Sequence, residues 1–152
     1  MRVDLVKVWP DGYQALAALE AVVTSSGLET SLIELIKMRV SQINQCAYCI
    51  DMHSKDARAL GETEQRLYAL SAWRETPFFT PRERAALALA ESITLLSATH
   101  VPDDVVDEAK EHFSADELAK VVFAAITINA WNRVAVTSQV SVGGYVSPHA
   151  HG

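Results

Sequence analysis

The sequence predicts an all-α fold, a single-domain bundle of about seven helices. Apolar residues recur at spacings of three and four through most of the chain, capping motifs precede two of the apolar runs, and alternating strand patterns are weak. The chain has 152 residues, of which 49% are hydrophobic, which suffices for one substantial core but not for two. We expect a helical domain over residues 1–142 and a flexible C-terminal tail over residues 143–152.

Three helices are predicted in the first part of the chain. Asp11 is expected to cap a helix that continues to about Thr24. A second helix is predicted from about Thr30 to Ile43, with an apolar stripe formed by Leu32, Ile33, Ile36, Val40 and Ile43. Asn44-Gln45 predicts a turn, and a third helix is expected to start at Cys46 and to end at Gly61, a glycine typical of the position after a helix.

Four more helices are predicted in the second part. A short helix is expected from Gly61-Glu62-Thr63 to about Trp73. Thr80-Pro81-Arg82-Glu83 has the pattern of a capping box with proline at the first helical position, and it predicts a helix to Leu96. A short acidic helix is predicted from Asp103 to Phe113, and Ser114-Ala115-Asp116-Glu117 opens a long apolar helix to about Val136.

The last residues contain few apolar side chains that could face a core. Residues 134–136 and 140–142 have some β-propensity, but a longer helical pattern covers that region, so helix is preferred. From Gly143 onward glycine, proline, serine and histidine dominate. His149 and His151 are therefore expected to be solvated side chains rather than metal ligands.

Charge and hydropathy exclude several classes of protein. Thirteen Lys and Arg against nineteen Asp and Glu give a net charge of −6, which disfavours binding to nucleic acids or to anionic membranes. No apolar run approaches the roughly 20 residues that span a bilayer. Because charges interrupt the N-terminal residues, no secretory signal is predicted, and we expect a cytoplasmic location.

Two cysteines and a histidine form the most informative pattern of the chain. At about 100° per residue, Cys46, Cys49 and His53 fall within an arc of about 60° on one helix face. If the second and third helices fold back on each other at Asn44-Gln45, Glu34 lies within one turn of His53. A carboxylate, an imidazole and two thiols would then share one pocket.

Three interpretations of this pattern remain open from the residues alone. The thiols are buried core residues, or Cys46, Cys49, His53 and Glu34 bind zinc, or the two cysteines are a redox pair in which one thiolate attacks and the other resolves. A lone CxxC lacks the second cysteine pair that is usual at structural zinc sites. We therefore favour the redox pair and predict neither a bound metal nor a cofactor.

The pattern resembles the Glu…CxxCxxxH signature of alkyl hydroperoxidase D (AhpD) and its relatives in the carboxymuconolactone decarboxylase superfamily. The residues that carry this resemblance are Glu34, Cys46-Ala47-Tyr48-Cys49 and His53, followed by Ala57 and Gly61. The segments at residues 80–85 and 128–133 also look like recurring elements of AhpD-like proteins, so the resemblance covers most of the chain.

The resemblance implies an all-helical subunit that forms trimers or hexamers and reduces organic hydroperoxides in a peroxiredoxin-type reaction. Its reductant would be a thiol or a lipoyl-type protein. Cys49 would attack the peroxide, Cys46 would resolve, and His53 and Glu34 would relay protons. The decarboxylase branch lacks the CxxC pair and is the weaker analogy.

Two features of the pattern bear on the roles that the resemblance implies. The helix dipole favours Cys46 as the thiolate, because Cys46 is nearer the N-terminus of the helix, whereas the resemblance favours Cys49. Tyr48 stands where the best-studied branch has a histidine, and its phenol is a poor base near neutral pH. Outside this pattern, we expect Trp131-Asn132-Arg133 to form a contact between helices or subunits.

Overall fold

The computed structural model describes residues 1–150, in which the regular secondary structure is entirely helical and no strand is present. The α-helices, in chain order, are α1 (Leu5–Val8), α2 (Pro10–Thr24), α3 (Thr30–Ile43), α4 (Ala47–Ala59), α5 (Glu64–Ala69), α6 (Pro81–Thr94), α7 (Leu96–Thr99), α8 (Asp103–His112) and α9 (Ala115–Ser138). A 3-10 helix, Leu70–Glu75, follows α5. The all-α prediction is confirmed.

All seven predicted helices are present, and the described residues add two single-turn helices, α1 and α7. Because α1 precedes the predicted first helix, the CxxC pair lies at the start of the fourth α-helix rather than the third. Asp11 is not the cap of α2: Trp9 occupies the cap position and Pro10 the first turn. Proline fits there because the N–H that it lacks would have no partner inside the helix.

Helix α3 is the centre of the molecule and packs against α4, α6 and α9. Ile33, Ile36 and Val40 belong to a large core cluster that includes residues of α6 and α9. On another side of the helix, Leu35 and Met38 belong to a second cluster with residues of α4, α5 and α6. Because α3 is surrounded in this way, even its polar residues Glu34, Lys37 and Ser41 are buried.

The two capping boxes predicted from the sequence are formed. Thr80 accepts the backbone N–H of Glu83 while the Glu83 carboxylate accepts the N–H of Thr80. Ser114 and Glu117 make the same reciprocal pair at the start of α9. Each box satisfies two backbone donors that a helix end otherwise leaves unpaired.

Two predicted helices are interrupted. The helix predicted to continue to Trp73 changes to a 3-10 helix at Leu70, and Ala72 has a non-helical backbone. Here the buried Trp73 indole N–H donates to Glu91 of α6 over 2.9 Å, so a tertiary contact competes with the local helical preference. The helix predicted to reach Leu96 ends at Thr94 instead, and a separate turn, α7, follows.

Residues 143–150 contain no helix, but part of this segment contacts α4. The Tyr145 hydroxyl donates to Asp56, and the Lys55 ammonium donates to the Tyr145 carbonyl over 3.0 Å. The domain boundary at residue 142 and the flexibility of the tail stay predictions. His149 lies on a cavity wall, and His151 lies outside the described residues.

Across residues 1–150, no helix combines the length and the apolar character that crossing a membrane requires.

Candidate redox site

Cys46 lies at the junction where α3 ends and α4 begins. Its N–H donates to Ser41 O over 3.0 Å, and the N–H of Gln45 donates to Gln42 O over 3.2 Å. This pair of bonds is a Schellman motif, in which Gln45 takes the left-handed position with φ 53°. Cys46 is therefore the N-cap of α4. The sequence suggested that Cys46 lies in the first turn of this helix, which begins one residue later, at Ala47.

Cys46 and Cys49 are joined by a disulfide, with their Cα atoms 5.3 Å apart. Cys46 Sγ also accepts the backbone N–H of Cys49 over 3.4 Å. Both residues are buried, but Cys49 lies on the wall of a cavity, whereas Cys46 is not among the lining residues. Small molecules that enter the cavity thus approach the disulfide from the Cys49 side.

His53 follows Cys49 by one turn of α4 and meets Glu34 of α3. His53 Nδ1 and Glu34 Oε2 are 2.9 Å apart, and both side chains are buried, with exposures of 5% and 7%. The fold-back at Asn44-Gln45 brings these two side chains together as the sequence suggested. The Glu34 carboxylate fixes the orientation of the imidazole.

The cavity beside Cys49 has a volume of about 440 Å³. Its polar lining residues include Glu34, Lys37, His53 and Asp56. Its apolar wall includes Tyr13, Tyr48, Met52, Ile128, Trp131 and Val134, together with residues of α1. This size and this mixture of a mostly apolar wall with a few polar groups are typical of sites for small organic molecules.

Sequence reasoning missed an ion pair on this cavity wall. Lys37, 2% exposed, is paired with Glu20 of α2, and the indole N–H of Trp131 donates to Glu20 over 3.2 Å. A signal was available, because Lys37 follows Glu34 by three residues and therefore lies on the same face of α3. Its partner on α2 could not be inferred from spacing within one helix.

Asp56 and Tyr145 are two further residues of the site that the sequence did not indicate. The Tyr145 hydroxyl lies 2.9 Å from both carboxylate oxygens of Asp56. Burial and the hydrogen bond to Asp56 raise the pKa of Tyr145 above its ordinary value, so its hydroxyl stays a donor. This contact holds the segment after α9 against the cavity.

A cluster of amides fixes the turn that carries Cys46. The Asn44 amide donates to Asn129 and Asn132 of α9, each over 2.9 Å, and Asn132 donates to Ser41 over 3.0 Å. The position of the turn relative to α9 is therefore set by hydrogen bonds between largely buried groups. Of the predicted contact at Trp131-Asn132-Arg133, Trp131 bonds to Glu20 of α2 and Asn132 to Ser41 of α3. Arg133 bonds instead to Asn129 of its own helix.

The arrangement suits thiol–disulfide chemistry. A sulfur on the cavity wall, a second sulfur within bonding distance and an imidazole one turn away are the groups that a two-cysteine redox cycle requires. The zinc set considered above, Cys46, Cys49, His53 and Glu34, has both sulfurs in the disulfide, where neither is a thiolate ligand.

The model of the carboxymuconolactone decarboxylase family matches residues 10–92, which is more than half of the chain. The chain belongs to this family. Among its relatives, the uncharacterized protein YdfG of Bacillus subtilis is 43% identical over 135 residues, which cover 89% of this chain and 92% of YdfG.

Solved structures agree with this membership. One is a protein of unknown function from Agrobacterium tumefaciens, which its description proposes to be the antioxidant defence protein AhpD. It superposes on this chain with a TM-score of 0.91 and is 42% identical in sequence. The match covers 95% of this chain and 99% of that one. An alkylhydroperoxidase AhpD core from Ralstonia eutropha, a peroxidase-related protein, shares the fold at 22% identity and a TM-score of 0.79, over 91% and 74% of the two chains. The chain is an AhpD-like member of the carboxymuconolactone decarboxylase superfamily.

Proposed function

We propose that the protein is a thiol-dependent hydroperoxide reductase that acts on organic hydroperoxides. The observation that carries the proposal is the position of Cys49, which contributes a disulfide sulfur to the wall of a largely apolar cavity that also contains His53 and Glu34. The resemblance of the CxxC pattern to AhpD supports the same activity, and so does the name of the Agrobacterium relative.

The reaction begins with reduced cysteines. The Cys49 thiolate attacks the distal oxygen of the hydroperoxide, so that an S–O bond forms and the O–O bond breaks. The leaving alkoxide takes a proton from the His53 imidazolium and departs as an alcohol. Cys49 is then a sulfenic acid. Glu34, whose Oε2 lies 2.9 Å from His53 Nδ1, holds the imidazole in position for that transfer.

Cys46 completes the cycle. Its thiolate attacks the Cys49 sulfur, the S–S bond forms, and the hydroxyl group leaves with a proton as water. In the overall reaction, one hydroperoxide and two thiols are converted to one alcohol, one water molecule and one disulfide. An external dithiol of the lipoyl type, or another cellular thiol, would then reduce the disulfide by exchange, as expected for a cytoplasmic protein.

Position and helix electrostatics favour different cysteines as the attacking thiolate. The N-cap position favours a thiolate at Cys46, because the N–H of Cys49 points at its sulfur. Access favours Cys49, because it lines the cavity and Cys46 does not. We assign the attack to Cys49, since a thiolate that the peroxide cannot reach does not react.

The test uses fully reduced, metal-free protein mixed with one equivalent of cumene hydroperoxide, with peroxide loss and intact mass followed together. We expect stoichiometric peroxide loss and a mass decrease of two hydrogens, because one disulfide forms. Cys46→Ser should still consume peroxide and gain one oxygen at Cys49, whereas Cys49→Ser should consume none. Unchanged thiols in the wild-type protein would refute the proposal, and an oxygen gained at Cys46 in Cys49→Ser would reverse the roles.

A further inference from the structure

Asp56 is a buried carboxylate on the cavity wall, 9% exposed, and no lysine or arginine among residues 1–150 forms an ion pair with it. Its hydrogen-bond donor is the neutral Tyr145 hydroxyl. Lys37, the lysine that lines the same cavity, is paired with Glu20. An ionised carboxylate in such a place is costly unless a positive charge balances it.

A second carboxylate and an imidazole lie beside Asp56. Glu34, His53 and Asp56 each offer one ligand atom, and these three atoms lie within 4.8 Å of one another. All three side chains are buried. Two carboxylate oxygens and one imidazole nitrogen are hard and borderline ligands, a combination that suits a divalent first-row ion such as Zn²⁺. The cavity on one side of the three residues provides space for the further ligands that such an ion needs.

We propose that Glu34, His53 and Asp56 form a binding site for a divalent transition-metal ion, with Zn²⁺ as the ion that the ligand set suits best. The two positive charges of the ion would balance the two carboxylates, and His53 would bind as the neutral imidazole. Tyr145 would orient Asp56 from outside the site, since a carboxylate that accepts one hydrogen bond has lone pairs left for a metal.

The proposed metal site and the proposed redox relay use the same two side chains, Glu34 and His53. A bound ion would occupy lone pairs that the relay needs, so Zn²⁺ would inhibit hydroperoxide reduction reversibly. This consequence rests on the proposed function, whereas binding of the ion does not. The site differs from a thiolate zinc site because it requires neither cysteine, and it can therefore be measured with the disulfide intact.

The experiment is a titration of chelator-treated, disulfide-form protein with Co²⁺ by visible absorption and with Zn²⁺ by calorimetry. We expect one equivalent to bind, Zn²⁺ to displace Co²⁺, and the Co²⁺ spectrum to lack sulfur charge-transfer bands. Asp56→Asn and Glu34→Gln should each weaken binding at least tenfold, because each removes one charged ligand.

Asp51→Asn is the matched control, because Asp51 lies on the same helix but is paired with Lys55. This variant should bind Zn²⁺ with the affinity of the wild-type protein. Failure of the wild-type disulfide form to bind stoichiometrically would overturn the proposal, and so would undiminished binding by Asp56→Asn. Binding that appears only after reduction would indicate the cysteines instead. Peroxide consumption by metal-free protein is measured separately, so failure of the metal site leaves the redox proposal intact.

Discussion

At the scale of single residues, the hydrogen bond between His53 and Glu34 joins the two central helices at the point where chemistry is proposed. Both side chains are buried, so the 2.9 Å contact is shielded from competing water. An imidazole held in this way has a fixed orientation on the cavity wall, one turn of α4 after Cys49.

Removing either side chain should slow the proposed reaction. His53→Ala is expected to lower the rate of peroxide consumption about a hundredfold, because the leaving alkoxide loses its proton donor and the thiolate loses a nearby cation. Glu34→Gln should act in the same direction but less, about tenfold. Stopped-flow measurement of peroxide loss checks both, and the midpoint of the pH dependence of Cys49 alkylation should move to higher pH in His53→Ala.

Ser54→Ala is the control for these variants, because its hydroxyl bonds to the Asp51 carbonyl and lies outside the cavity lining. It should react at the wild-type rate. Wild-type rates in both His53→Ala and Glu34→Gln would rule out the relay.

The residues of the candidate site were predictable to different degrees. Cys46, Cys49 and His53 share one helix, so spacing alone placed them together, and one turn placed Glu34 opposite them. Asp56 also lies on α4, but its importance follows from Tyr145, 89 residues later in the chain. The pairing of Lys37 with Glu20 was not predictable for the same reason, since Glu20 lies on a different helix. Contacts between distant segments leave no periodic signal in a sequence.

At the scale of elements, the junction of α3 and α4 adopts its shape against the preference of one residue. Gln45 is exposed and has φ 53°, a left-handed conformation that glycine adopts more readily than residues with a Cβ. The Schellman bonds hold it there, and the amides of α9 hold the turn.

Gln45→Gly is therefore expected to raise the free energy of unfolding by about 0.5–1 kcal/mol. Glycine removes the strain of the left-handed conformation in the folded protein, but it also gives the unfolded chain more conformational freedom, which offsets part of the gain. Urea denaturation followed by circular dichroism measures this change. Gln45→Ala removes the same side chain but keeps the Cβ, so it should bring no gain. Equal stabilisation by both substitutions would contradict the backbone explanation.

The start of α9 should contribute to the pH dependence of stability. The Ser114 backbone N–H, together with Arg82, lowers the pKa of Glu117 to about 2 from an ordinary value of 4.5. Because the folded pKa is the lower one, this contribution is fully present above pH 4.5 and is lost as the pH falls toward 2.

Glu117→Gln should make the fall in unfolding free energy between these pH values shallower, since glutamine can still serve in the capping box but does not titrate. Urea unfolding at a series of pH values measures the slope. Glu111→Gln, an exposed position on α8, is the control and should leave the slope unchanged. A slope in Glu117→Gln equal to that of the wild-type protein would disprove this assignment.

Elements with strong local signals were predicted most accurately. The bounds of α3 agree with the prediction, and the capping boxes placed the starts of α6 and α9. The errors lie where packing determines the backbone, as at the 3-10 helix, where the Trp73 indole bonds to Glu91. Single-turn helices such as α1 are too short to show the periodicity on which prediction depends.

At the scale of the whole molecule, the surface retains large apolar side chains. On α9, Phe123 is 50% exposed and Ile126 is 41% exposed, and their spacing of three places them on one face. Leu96 lies with Ile126 along a shallow groove and is also exposed. Apolar surface of this kind is typical of association between subunits.

We therefore expect a homo-oligomer, and a trimer or hexamer from the resemblance to AhpD. Light scattering after size-exclusion chromatography should give a mass that is a multiple of the 16.6 kDa chain. Ile126→Glu should lower that mass, because an interface would have to bury an unpaired charge. Val142→Glu, at an exposed position beyond α9, is the control. A wild-type protein that elutes as a monomer would contradict the expectation.

The aromatic residues around the cavity give the molecule an optical property. Of its three tryptophans, Trp9 is exposed, Trp73 is enclosed in the second core cluster, and Trp131 lies on the cavity wall in edge contact with Tyr13, their rings 5.2 Å apart. A ligand that enters the cavity displaces solvent from one indole while the other two keep their surroundings. The protein thus has a built-in fluorophore whose emission reports, without any added label, whether the cavity is filled.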